Sequence, residues 1–363
     1  MRVASLLLAL SAAAPLALHA QWTIQTPTTA DLRGIDNVGK GIAWASGTNG
    51  TVLRTEDAGY LWQRCTIPPN AEHLDFRGIQ AFDANTAIVM SSGPGDQSRL
   101  YKTTDGCQTW TLLFTNPDKT GFWDAIKFRD QTHGYLLGDP VAGKFQILET
   151  SNGGSYWQTY WGGVESSPNE GAFAASNSSL ALGVTEGHSG IGLIFGTGAP
   201  QHARAIWMEI TGAGDVFSSN WNGAVLPVAA GTSSAGIFAL AFGDSTHLVA
   251  VGGDYLKPND TSGTAAFTAD GGQHWAAATT PPHGYRSAVA YDAPTRTWIT
   301  VGPNGTDIST DDGRNWRPLH PSNNDAPDAD QHWNALSHPY AVGPHGRIGI
   351  LNPSALKPLS TKP

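Results

Sequence analysis

The chain has 363 residues, of which 40% are hydrophobic and 14% charged, so it can bury a large core and is not disordered by composition. Its formal charge is -9 and no run of five basic residues occurs, which argues against nucleic acid and anionic lipid surfaces as partners. Forty-three glycines, twenty-three prolines and thirteen tryptophans favour many short strands joined by tight turns, and an all-β fold.

The first twenty residues read as a secretory signal peptide: Met1-Arg2, an apolar run from Val3 to Leu18, and a small residue, Ala20, at the cut. An uncleaved anchor is the alternative, and about 16 apolar residues are short for a span. No later segment is long and apolar enough to cross a bilayer, so the expected product is exported, periplasmic or extracellular, with residues 21–363 as one domain. Cys65 and Cys107 fit a disulfide in an oxidising compartment and equally fit two buried thiols.

From residue 32 onward the chain is periodic. The first unit opens with Leu-Arg-Gly-Ile at 32–35, passes through a strand ending in the Gly-rich AWASGTNG at 43–50, and reaches TEDAGYLW at Thr55–Trp62. The second opens with Phe-Arg-Gly-Ile at 76–79 and carries TTDGCQTW at Thr103–Trp110; the third opens with Trp-Asp-Ala-Ile at 123–126 and carries TSNGGSYW at Thr150–Trp157. TADGGQHW at Thr268–Trp275 follows an opening Ile-Phe-Ala-Leu at 237–240, and STDDGRNW at Ser309–Trp316 follows Tyr-Arg-Ser-Ala at 285–288. The acidic or amide positions Asp57, Asp105, Asn152, Asp270 and Asp311 are spaced by 48, 47, 118 and 41 residues.

The gap of 118 is wide enough for one degenerate unit, with expected strands at Gly171–Ala175, Leu180–Val184, Gly192–Gly196 and Ala203–Ile210. A last unit opens with Trp-Asn-Ala-Leu at 333–336 and has three strands, ending at Arg347–Leu351; Trp22-Thr-Ile-Gln can supply its fourth. Four antiparallel strands per repeat of this length predict a seven-bladed β-propeller closed by the N-terminal strand, or six blades if the degenerate region is an insertion.

The octapeptide S/T-x-D-x-G-x-x-W resembles the Asp-box, or bacterial neuraminidase repeat, of sialidases and other propellers. There it lies in the turn between the third and fourth strands. An Asp accepting N–H groups across its own turn, a glycine at positive φ and a tryptophan packed between sheets give it a structural role. Five such sites around a ring cannot converge on one substrate; and if first strands run inward from the ligand face, the turns between third and fourth strands lie on the opposite one.

The ligand face is expected to use the starts of first strands, namely Arg33, Arg77, Asp124, Phe238, Arg286 and Asn334, with Glu170 close by. Loops after second strands add Asp96, Asp139, Glu186, His188, Asp254, Tyr255 and Lys257. Three arginines facing carboxylates and tyrosines suit a carboxylate or phosphate; alternatively, they pair with Asp124 and Glu170 to order the channel mouth.

Phe76-Arg77-Gly78-Ile79 resembles the Phe/Tyr-Arg-Ile-Pro opening of sialidases but has an inserted glycine and no proline, and no tyrosine–glutamate pair is identifiable. The chain as a whole resembles the photosystem II stability and assembly factor family of exported seven-bladed propellers. That resemblance implies a non-catalytic scaffold binding a protein partner through an arginine-rich patch, and the chain is expected to be a monomer. A glycoside hydrolase binding an anionic carbohydrate is the alternative. The twelve histidines, His332 and His338 included, have no metal-site spacing, and no phosphate loop or serine elbow occurs, so neither metal nor cofactor is expected.

Overall fold

The computed structural model describes residues 21–160, 163–183, 190–198, 201–213 and 216–356. The signal segment 1–20 and the candidates Glu186 and His188 lie outside the described residues. Strands form seven antiparallel sheets and, among the described residues, no α-helix. Blade 1 holds Leu32–Gly39, Ile42–Gly47, Val52–Thr55 and Gln63–Arg64; blade 2 holds Phe76–Ala81, Ala87–Ser91, Arg99–Thr103 and Thr111–Thr115. Blade 3 holds Trp123–Phe128, Gly134–Val141, Lys144–Thr150 and Gln158–Thr159, with Val164–Glu165 added on Lys144–Thr150. Blades 5 and 6 run through Ala235–Phe242 to Ala276–Ala277 and Ala288–Asp292 to Arg317–Pro318.

Blade 7 closes the ring as the sequence predicts. Trp22–Gln25 pairs antiparallel with Ile348–Leu351, outside Tyr340–Val342 and Ala335–Ser337, and Trp22 packs on Trp333 at a centroid distance of 5.0 Å. The apolar core is divided among seven clusters, each built by two neighbouring blades; for example, Trp44 meets Phe76 between blades 1 and 2, and Leu32 meets Tyr340 between blades 7 and 1. Seven interfaces for seven sheets leave no uncovered blade face, which is how a ring of four-stranded sheets hides its edges.

Blade 4 departs from the expectation. Its strands are Leu180–Leu182, Gly190–Gly196, Ala203–Ala213 and Val216–Leu226, so the outermost strand comes from beyond the predicted range. Residues 171–175 form no strand, only an isolated bridge between Gly171 and Gly198. Instead, the segment 172–179 crosses the ring axis. It hydrogen-bonds blade 2 through Arg77 Nη1 to Ala174 O (3.3 Å) and Asn177 Nδ2 to Ile79 O (3.0 Å), and blade 3 through Ile126 N to Asn177 Oδ1 (2.8 Å). Blade 5 donates Leu240 N to Ser178 O (2.9 Å), and the Ser176 hydroxyl donates to Ser287 O of blade 6 (2.7 Å). A segment bonded to four blades is a plug in the channel, held by hydrogen bonds through both its backbone and its side chains.

In each of the five octapeptide turns the Ser/Thr hydroxyl donates to the Asp or Asn Oδ1, as from Thr55 to Asp57 (2.8 Å), while accepting the N–H four residues on. The same Oδ1 accepts the N–H four residues after itself: Leu61, Thr109, Tyr156, His274 or Asn315. These bonds lower the carboxyl pKa, at Asp105 to about 2 with the Thr109 hydroxyl as largest cause, so the carboxylates serve the turn as fixed acceptors. The fifth position is Gly59, Gly154, Gly272 or Gly313 at φ of 80 to 88°, but Cys107 at 64° in blade 2. Cys107 is bonded to Cys65, just past the last strand of blade 1, with Cα atoms 5.2 Å apart; the disulfide option is the one realised and it staples two blades.

Candidate functional site

The chain enters each blade at the axis on the face opposite the octapeptide turns. There the first strands of blades 1, 2, 3 and 5 break register at one residue: Arg33, Arg77, Asp124 and Phe238, respectively. A bulge turns the extra side chain out of the ladder, so these four aim at the channel mouth. They line a depression of about 570 Å³ together with Asn334 of blade 7, Ser287 of blade 6 and the plug residues 172–175.

Arg286 does not join them. Its side chain is fully buried, with Nε donating to Asp307 Oδ2 at 2.8 Å, Nη2 bonding the same oxygen, and Nη1 donating to Asn304 Oδ1 (2.6 Å) and Tyr285 O (2.8 Å). The reason is a frame slip of one residue. The Arg286 N–H donates to Gly252 O of the preceding blade, as Leu32 does to Gly343 O, Ile237 to Thr197 O and Trp333 to Gly302 O. Likewise Gly302 lies so near Tyr285 O that a Cβ would approach within 2.3 Å, as Gly47 lies against Asp31 O and Gly343 against His332 O. Arg286 therefore fills the between-blade place of Leu32, and Ser287 fills that of Arg33. The signal was in the sequence: setting Val289 beside Ile35, Ile79 and Ile126, in place of Ala288, gives this frame.

Arg33 and Arg77 share a carboxylate that the sequence reading missed. Asp75 Oδ2 takes Arg77 Nε at 2.8 Å and lies 3.8 Å from Arg33 Nη2, and both arginine side chains stay near 30% exposed. One carboxylate against two guanidinium groups leaves a net positive corner with free N–H donors. Neither arginine pairs with Asp124 or Glu170 as the alternative reading had it. Glu170 is buried and held by Arg204, at 2.7 Å from Nε and 2.6 Å from Nη2, with the Thr197 hydroxyl and Ser167 N also donating. Burial pushes the Glu170 carboxyl up, but the Arg204 and Thr197 bonds outweigh it and the net shift is downward.

On the next blade of the ring, blade 3, stand Asp124 and Asp139. Asp124 is 1% exposed and its Oδ2 has no hydrogen-bond partner; burial, then the Asp139 charge, push its pKa well above the usual range against the pull of Arg77. Asp139 is also raised by burial, while Ala172 N donates to its Oδ1 at 3.0 Å. Aromatic rings complete the walls. Phe173 of the plug stacks on Phe238 at 3.8 Å, and Tyr285 meets Phe238 edge-on at 4.7 Å. Tyr255 stands at the rim, 48% exposed, beside Leu256 at 71%.

The remaining candidates lie away from this mouth. Asp254 is buried, receives Leu256 N at 3.1 Å and has Lys257 Nζ at 3.7 Å; both residues line a separate shallow depression. Asp96 is exposed and paired only with Arg99 at 3.6 Å. His338 lies 3.4 Å from Asp292, and His332 lies 3.9 Å from Asp328. Among the described residues no group of three or more His, Cys, Asp or Glu could hold a metal ion.

The ring of blades has counterparts among known proteins. The chain is 23% identical over 262 residues to the photosystem II assembly lipoprotein Ycf48 of Synechococcus sp. (strain CC9902), covering 63% of this chain and 69% of that protein. The chain resembles the photosystem II assembly factors. Solved YCF48 structures share its fold. One bound to D1 peptide matches with a TM-score of 0.58 and 16% identity, covering 92% of this chain and 97% of that one. YCF48 from Cyanidioschyzon merolae matches with a TM-score of 0.56 and 19% identity, covering 92% and 100%. No family model matches the chain. Among the described residues no helix is long and apolar enough to cross a membrane.

Proposed function

We propose that the protein is exported to the periplasm or beyond and works as a non-catalytic scaffold, holding a segment of a partner protein at its channel mouth. The observation that carries this reading is the Arg33–Asp75–Arg77 corner: two guanidinium groups fixed by one carboxylate, partly exposed, and floored by a plug. Such a corner offers paired N–H donors to a carboxylate without reorganisation. Similarity to Ycf48, and the D1 peptide bound to one YCF48 structure, supports a polypeptide over a free sugar.

A sialidase-type hydrolysis is less well supported. It would need a tyrosine nucleophile activated by a carboxylate, and burial pushes the Tyr285 phenol far up instead. The test is affinity capture from envelope extracts with wild type and an Arg33→Gln/Arg77→Gln variant of unchanged melting temperature, followed by identification of the retained segment. Loss of one defined partner by the variant is expected; equal recovery by both proteins overturns the proposal.

A further inference from the structure

We infer that the same depression contains a second subsite, built by Asp124 and Asp139, that accepts an ammonium or guanidinium side chain of the bound polypeptide. This rests on the reading of the mouth as a polypeptide site. Asp124 is 1% exposed and lines the cavity, and its buried Oδ2 has no hydrogen-bond partner. A buried acceptor left unmade costs stability. A donor arriving in the cavity would satisfy it.

Three further observations fix the chemistry of the occupant. Asp139 lines the same cavity as Asp124 and its charge disfavours that of Asp124, a repulsion that a shared cation relieves. Its backbone partner Ala172 reaches only Oδ1. The wall is aromatic, with Phe122 and Phe173 lining the cavity, and ring faces favour organic cations. A calcium ion would need six to eight oxygens, whereas two carboxylates stand here. Since Arg33 and Arg77 line the same cavity on the two preceding blades, the site matches a segment carrying a positive side chain close to a carboxylate. Asp139 also borders a neighbouring groove along Ser166–Glu170, through which such a segment can continue.

The probe is Nα-acetyl-argininamide, compared with its neutral isostere Nα-acetyl-citrullinamide, by calorimetric or ligand-observed NMR titration. Wild type should prefer the arginine compound by at least about tenfold, and Asp124→Asn and Asp139→Asn should each remove that preference. Arg33→Gln/Arg77→Gln should keep or strengthen it. Thermal melts show whether each variant is folded, and Asp124→Asn should be more stable than wild type above the raised pKa of the Asp124 carboxyl. Equal binding of the two compounds, no saturable binding by wild type, or an undiminished preference in both Asp variants overturns the subsite. In the capture assay, loss with the Arg variant but not with the Asp variants leaves the scaffold reading standing without this subsite, whereas capture unaffected by either set removes both.

Discussion

Replacing Arg286 by leucine separates a structural arginine from a ligand arginine. The substitution puts the residue type of Leu32 into the equivalent place but leaves Asp307, itself 1% exposed, with only His283 Nδ1 at 2.8 Å as a charged neighbour. Breaking a buried pair on one side costs about 3–5 kcal/mol. With an unfolding entropy of roughly 2.1 cal/mol/K per residue over about 340 residues, that lowers the melting temperature by about 4–7 °C. Arg286→Leu/Asp307→Leu removes both charges, and its stability should return to within about 2 kcal/mol of wild type or exceed it. His283 provides a pH signature. The hydrogen bond to Asp307 raises its pKa above 6.5, so its contribution is complete below pH 6.5 and is lost as pH rises through the raised value. That slope should vanish in the double variant. The assay is a set of melts from pH 5 to 9 beside partner capture, which should be unaffected. An unchanged melt with capture lost would refute the argument and return Arg286 to the ligand face.

Above the raised pKa of its carboxyl, Asp124→Asn should raise the melting temperature by about 1–4 °C, since it removes a charge whose burial costs about 1–3 kcal/mol. The sign follows from the raised folded pKa: wild type loses stability as pH climbs from 3.8 through that value, so the variant's advantage should be absent below pH 3.8, grow as pH rises, and be complete only above the raised value. Gly59→Ala should destabilise by more than about 1–2 kcal/mol, because a Cβ at φ 86° is disfavoured and would also meet Ile350 Cδ1 at 2.6 Å; a wild-type melt would show the turn to be slack. Reducing the Cys65–Cys107 bond opens a loop with a sequence separation of 42, worth about 4 kcal/mol, and should lower the melting temperature in dithiothreitol by about 5–6 °C. No change would mean that blades 1 and 2 are held by their shared core alone.

What could be read from sequence was what local bonding determines. The octapeptide turns close their own hydrogen bonds within seven residues, so their residue types survive as a pattern, and Trp22 announces the closing strand by its own spacing. Blade 4 was misread because its sequence carries no such octapeptide. The alternation of Ala172, Phe173 and Ala174 resembles a strand, although these residues answer to Arg77, Phe238 and Asp139, far away in sequence. Arg33, Arg77 and Asp124 were legible because a bulge repeats at the start of the first strand. Asp75 was not, because it precedes its strand and acts through the neighbouring blade.

The irregularity of blade 4 and the shape of the site have one cause. Having spent residues 172–179 on the axis, the chain enters the innermost strand from inside the channel and has room there for only Leu180–Leu182. The blade then recovers its pairing outside, where two strands of 11 residues run side by side from Ala203 to Leu226. In blades 1, 2, 3 and 5 the mouth is lined by the bulged first-strand residue; blade 4 contributes a floor instead, with Phe173 stacked on Phe238 and Ala172 N fixed on Asp139. A segment seated on Arg33 and Arg77 therefore meets a closed, aromatic base within reach of Asp124, and approaches from one face alone. Removing the plug's anchor by Asn177→Ala would strip the bonds to Ile79 and Ile126 and loosen that base, without touching any group that faces the ligand.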